Sequence, residues 1–180
     1  MRIVLLLVTL FVSAAPLAAQ PAADAPVPQH VAYLLDAARD GFSAVRGQVT
    51  YGPGMTYSTA ELASRHAIRF QGVDARSELR VNLNWNVLHQ TLLPVAGGRA
   101  ATDSAWARLS AQIAAVIPRG WIASRNAETR HAIWQECEQG RGREVALSTS
   151  LPFEQPYLTL IVYRYDQPCP APAGGGGAGG

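Results

Sequence analysis

Lysine is absent from this sequence, and all fifteen basic residues are arginine. The simplest reason is genomic base composition, which also accounts for the abundance of alanine. The arginines are scattered. Without a basic block there is no electrostatic footprint for nucleic acid, so no nucleic-acid partner is expected. Cysteine is nearly absent, with two copies, Cys137 and Cys169. Close ligand pairs such as CxxC, HxxxH and HExxH do not occur, which argues against a zinc site. The serine-hydrolase elbow GxSxG and the Walker loop are missing, and no GxGxxG follows a strand. The glycines of GGGGAGG have no helix behind them to cradle a phosphate. No metal or other cofactor is expected.

Long apolar runs are also missing. The best one, Ile3–Val12, is interrupted by Thr9 and ends before Ser13 and Pro16. A membrane span needs roughly 20 apolar residues. A basic start, a short apolar middle and a small-residue exit at Leu17-Ala18-Ala19 instead have the layout of a secretory signal peptide. Residues 1–19 are therefore expected to be removed on export, to the periplasm or the medium. No transmembrane segment is expected in the remaining chain. Loss of Arg2 would leave fourteen arginines (15 − 1) against thirteen acids, close to neutrality.

Residues 20–28, QPAADAPVP, offer little to bury and read as a disordered linker. Residues 167–180, rich in proline and glycine, read as a flexible tail. Residues 29–166 are long enough for one domain with a core.

Export favours pairing of the two cysteines. Cys137 ends the first of three closing strands and Cys169 follows the third, so a meander brings both to one edge of the sheet. Strands separated by one neighbour lie about 9.6 Å apart, whereas a disulfide needs Cα atoms within about 7 Å. Gln167 and Pro168 would carry Cys169 back across the middle strand. Such a bridge would stabilise by about 3.7 kcal/mol in the chain-entropy account, less any strain. A catalytic thiol is disfavoured. His131 would lie roughly 20 Å along the strand, and Glu136 and Glu138 would raise the thiol pKa.

The periodicity predicts a helix over QHVAYLLDAARDGFSAVRG, with Val31, Leu34, Leu35, Ala38, Phe42 and Val45 on one face. Gly41 weakens its second half. Gln48–Tyr51 and His66–Phe70 read as strands, with GVDARS as a connection. ELRVNLNWNV, Glu78–Val87, alternates as one half-buried strand with a polar face, and HQTLLPVAGGRA leads away from it. A second helix covers ATDSAWARLSAQIAAVIPRG, capped by Thr102 or Asp103 and stopped at Pro118–Gly120. Three strands follow at His131–Cys137, Glu144–Thr149 and Tyr157–Tyr165. The last is apolar on both sides, as a central strand would be. No internal repeat is visible. The order predicts an α+β domain: an antiparallel sheet of five to six strands with both helices on one face.

The four histidines, His30, His66, His89 and His131, are far apart in sequence and are expected to be ordinary half-exposed side chains. Arg80, Asn82 and Asn84 form a polar row on the uncovered face, able to bind sugars, peptide backbone or carboxylates. The plainer account is a solvated face. The leading expectation is an exported, non-enzymatic domain that binds a protein or cell-envelope component. An inhibitory partner of an exported enzyme is a variant of it. The alternative is an envelope hydrolase with a dispersed site built from His131, Glu136 and Glu138. The two glutamates would stand about 6.8 Å apart on one strand face, within the spacing of inverting glycosidases.

Overall fold

The computed structural model describes residues 19–50, 59–82, 87–138, 141–150 and 156–165. The fold is α+β. Helix α1, Val27–Ala37, follows Pro26 at its N-cap and has Pro28 in its first turn, where the missing amide costs nothing. Its regular turns stop at Ala37, and a 3₁₀ turn over Ala38–Asp40 follows. Gly41 and Phe42 then take left-handed backbone at φ 71° and 65°. The expected single helix to Val45 is thus broken at Gly41. Phe42 and Val45 are still fully buried, presented by the bend rather than by a helical stripe. The segment expected to be a linker takes part in the fold as well. Val27 is in the core, and the Ala23 carbonyl accepts a bond from the Arg69 amide.

The first run of strands is β1 Arg46–Thr50, β2 Thr59–Ser64, β5 Arg76–Asn82 and β6 Val87–Pro94. Between β2 and β5 sits a small hairpin of β3, Arg69–Phe70, and β4, Val73–Asp74. Gln71 and Gly72, both at positive φ, make its turn. Helix α2, Gly98–Ala114, follows. It starts earlier than expected, from a left-handed Gly97, with no side-chain cap. Thr102 is inside the helix and donates to the Gly98 carbonyl, while Asp103 pairs with Arg130. The second run is β7 Ile122–Asn126, β8 His131–Glu138, β9 Arg141–Ser150 and β10 Tyr157–Tyr165.

These strands form one antiparallel sheet of eight, ordered β1-β2-β5-β6-β10-β9-β8-β7. Each helix is followed by four strands that step from an edge to the centre. The two final strands, β6 and β10, meet antiparallel at the seam. The topology therefore repeats, although no sequence repeat marks it. The strand count exceeds the expected five to six because β2, β6 and β7 were not foreseen. The expected strand His66–Phe70 forms only at Arg69–Phe70, in the small hairpin, and the expected single strand Glu78–Val87 is β5 at Arg76–Asn82, with Val87 opening β6.

Both helices pack on one face. Leu93, Leu158, Leu160, Val162, Val145 and Leu147 carry the core there, each no more than 1% exposed. Trp106 of α2 donates its indole N–H to the Leu147 carbonyl at 3.3 Å. Arg143 bonds the Leu35 carbonyl of α1 and a Glu136 carboxylate. On the other face, β10 turns Tyr157, Ile161 and Tyr163 outward, all half-buried. No helix among the described residues lies there.

Candidate functional site

His30, His66 and His89 are 0%, 1% and 1% exposed and lie together under α1. The expectation of half-exposed histidines is overturned for these three; His131 alone is exposed, at the start of β8. His30 is on the core stripe of α1 beside Val31 and Leu34. His66 follows β2, in the connection toward the β3–β4 hairpin. His89 takes an inward position of β6, between Val87 and Thr91.

Their bonds form a chain. The His30 Nε2 lies 3.1 Å from the Ala25 carbonyl, and its Nδ1 lies 3.0 Å from His66 Nε2. A carbonyl can only accept, so His30 carries its hydrogen on Nε2 and its Nδ1 is a bare acceptor. His66 must then donate from Nε2. That leaves His66 Nδ1 without a hydrogen, and this atom is buried with no partner. Tyr33 stacks on the ring at 5.0 Å between centroids. The His66 amide donates to Ser64 Oγ at 3.1 Å, and Ser64 Oγ lies 2.8 Å from His89 Nε2. Beyond His89 stand Thr91 and Ser77, whose hydroxyls are 3.1 Å apart.

All three rings are held neutral. Burial lowers the pKa of His30, outweighing the raising effect of the Ala25 and Ala23 carbonyls. Burial, then the neighbouring His30, brings His66 down to about 4. Burial, then His66, brings His89 to about 3. No carboxylate contributes to any of these shifts, so nothing nearby compensates an imidazolium.

A serine beside a histidine is the minimum for an activated nucleophile. Ser64 and His89 do not serve that chemistry. Ser64 Oγ accepts from the His66 amide and contacts His89, so it is held inside the bridge, and the His89 ring is 1% exposed. A base with a pKa near 3 takes few protons at neutral pH. Nor do the rings make a metal centre: among the described residues, no group of three or more His, Cys, Asp or Glu side chains is placed to hold an ion. The cluster is a polar bridge between α1, the β2–β3 connection and β6.

The residues expected for a hydrolase are not brought together. His131 and Glu136 are five positions apart on β8 and so point to opposite faces. Glu136 is engaged by Arg143, whose Nε approaches to 2.6 Å. The Glu138 side chain lies outside the described residues.

The expected polar row is placed in part. Leu79 and Val81 of β5 face the helices, and Arg80 faces the other way, opposite Leu88. Its guanidinium donates to Glu78 on the same face, Nη2 to Oε1 at 2.7 Å. Glu78, missed by sequence reasoning, thus belongs to this row. The Asn82 side chain and Asn84 lie outside the described residues. Across the seam the same face carries Tyr163 and Tyr165, 5.4 Å apart between ring centroids. Burial, then Glu144, raises the pKa of both phenols.

Cys137 pairs with Gly142 of β9, which pairs with Tyr165 of β10, giving a row of three positions across the strands. The Tyr165 ring lies over Gly142, where a methyl group would overlap it. The Cys137 side chain and Cys169 lie outside the described residues, as does the tail. No helix among the described residues is long and apolar enough to cross a membrane. No protein-family model, curated protein or solved structure matches the chain.

Proposed function

We propose that the chain is an exported, non-enzymatic binding domain that docks a protein or cell-envelope component on the sheet face where no described helix lies. The observation that carries this reading is the half-buried tyrosine band of β10 on a face with no described helix, flanked by the Glu78–Arg80 pair. Tyrosine and arginine are the residues that dominate protein interfaces, because each joins a large contact area to a polar tip. Arg80 with Asn82 and Asn84 would supply hydrogen bonds at one side of the band. The leader-like residues 1–19 support export, and export supports a Cys137–Cys169 disulfide.

The test is site-specific photo-crosslinking in the exporting cell. A photoreactive residue replaces Tyr163 on the open face, or Arg108 on the exposed side of α2 as control. A discrete adduct from position 163 and none from 108 is expected. In the purified complex, Tyr163→Ala or Arg80→Ala should then weaken binding roughly tenfold or more, within the usual range for interface anchors. Adducts only from position 108, or none from either, would remove the open face from the reading.

A further inference from the structure

The His30–His66 pair has one landing place for an added proton; His89, at about 3 against about 4 for His66, takes one only at lower pH. Ala25 fixes the hydrogen on His30 Nε2, and the His30–His66 contact already holds one hydrogen between two nitrogens. A further proton therefore ends on His66 Nδ1, whichever ring is credited with the charge. That atom is buried and has no acceptor. An N–H there must either stay unpaired, which is costly in a core, or turn out to water.

The segment that holds His66 is weakly tied to the rest. Arg65–Ala75 carries the β3–β4 hairpin, which pairs only with itself and not with the large sheet. Its anchors are few. The Arg65 amide donates to the Val45 carbonyl and its carbonyl accepts from Gln20 Nε2 at 3.5 Å, the Arg69 amide donates to the Ala23 carbonyl, and the His66 amide to Ser64. Ile68 is its fully buried apolar side chain, with Phe70 half-buried beside it. Opening the segment leaves every pairing of the eight-stranded sheet intact.

We propose that Arg65–Ala75 is an acid-opened flap: protonation of His66 Nδ1 drives the ring out from between α1 and β6, and the hairpin moves with it. The surroundings offer the charge no relief. His30 and Tyr33 face it from α1, Ser64 from β2, Ser77 from β5, His89 and Thr91 from β6, and Val162 of β10 stands opposite His89. Charged groups on the neighbouring elements are engaged with other partners. Asp74 pairs with Arg69 on the exposed flap, while Arg46 and Arg164 bond the Gly41 and Arg39 carbonyls. Asp36 pairs with Arg39, and Asp40 bonds Ser43. Because the closed state holds His66 neutral, closure is fully supported above about pH 6.5. That support is lost as the pH falls from there toward 4. Acidity as a natural trigger rests on the export reading above, whereas the opening itself does not.

Amide hydrogen exchange on the full exported protein tests the flap. After correction for intrinsic rates, the His66 and Arg69 amides should exchange about 50-fold faster at pH 4.5 than at pH 7. The Leu147 and Leu160 amides of the sheet should stay unchanged over that range. His66→Gln keeps an N–H for His30 but cannot titrate, so its flap should stay closed at pH 4.5. Should that variant not fold, imidazole nitrogen shifts of the unmodified protein decide. They should show His66 carrying hydrogen on Nε2 alone at pH 7, with Nδ1 protonated as the flap amides open. Parallel loss of protection in flap and sheet would overturn the proposal. So would an unchanged acid response in His66→Gln, or the opposite tautomer at pH 7.

Discussion

Single residues carry most of what is unusual in this core. Three imidazoles occupy positions that apolar side chains would fill more cheaply, and they are tolerated because each nitrogen but one finds a partner. None of this was legible in the sequence. His30, His66 and His89 come from a helix, a connection and a strand, and only the fold sets them side by side. One local signal did exist: His30 falls on the apolar stripe of α1, beside Val31 and Leu34, where a solvated histidine would be out of place. Gly142 is a second residue whose role appears only in three dimensions. It lies under the Tyr165 ring, and any Cβ would overlap that ring. Gly142→Ala should therefore destabilise the domain by about 1–3 kcal/mol, the usual cost of overpacking. Urea unfolding checks this. A further change of Tyr165 to Leu should recover part of the loss, because it removes the clashing ring.

Elements were legible where their two sides differ in polarity, as in the stripes of α1 and α2, or where β-branched and aromatic residues run together, as in β10. Strand β6 escapes because its inward positions include His89 and Thr91 while Leu88 and Leu92 lie on the other face. Polar-inward and apolar-outward residues cancel the alternation that marks a strand. Strand β7 escapes because all five of its residues are exposed, so it has no apolar side to show. Among the strand ends, the row Cys137–Gly142–Tyr165 bears on the disulfide. Four residues beyond Tyr165 reach at most about 14 Å, more than the roughly 9.6 Å between alternate strands. Chain length alone therefore does not forbid the proposed Cys137–Cys169 bridge. The middle position is a glycine, but the Tyr165 ring lies over it, so a crossing chain must pass outside that ring. Thiol alkylation of the exported protein, read by intact mass, should give no label before reduction and one on each cysteine after it. Labelling without reduction would mean that the strand ends are not joined.

At the scale of the whole molecule, the repeated helix-and-four-strands plan raises the question of whether either half folds alone. The seam argues against it. Strands β6 and β10 pair over eight positions, and Leu93, Leu158, Leu160 and Val162 are sealed only when both halves are present. The helices also reach across. α1 contacts α2 and β10, Arg143 of β9 bonds the Leu35 carbonyl, and Arg164 of β10 bonds the Arg39 carbonyl. A half of about 75 residues would expose a central strand as a new edge and lose much of its core. Such a chain is near the lower limit for independent stability. Residues 20–96 and 97–166 made separately should each lack a cooperative thermal transition by circular dichroism. Mixed together, they should regain one, because the seam supplies to each what it lacks. A cooperative melt from either fragment alone would show that the sheet is two domains joined at β6–β10 rather than one core.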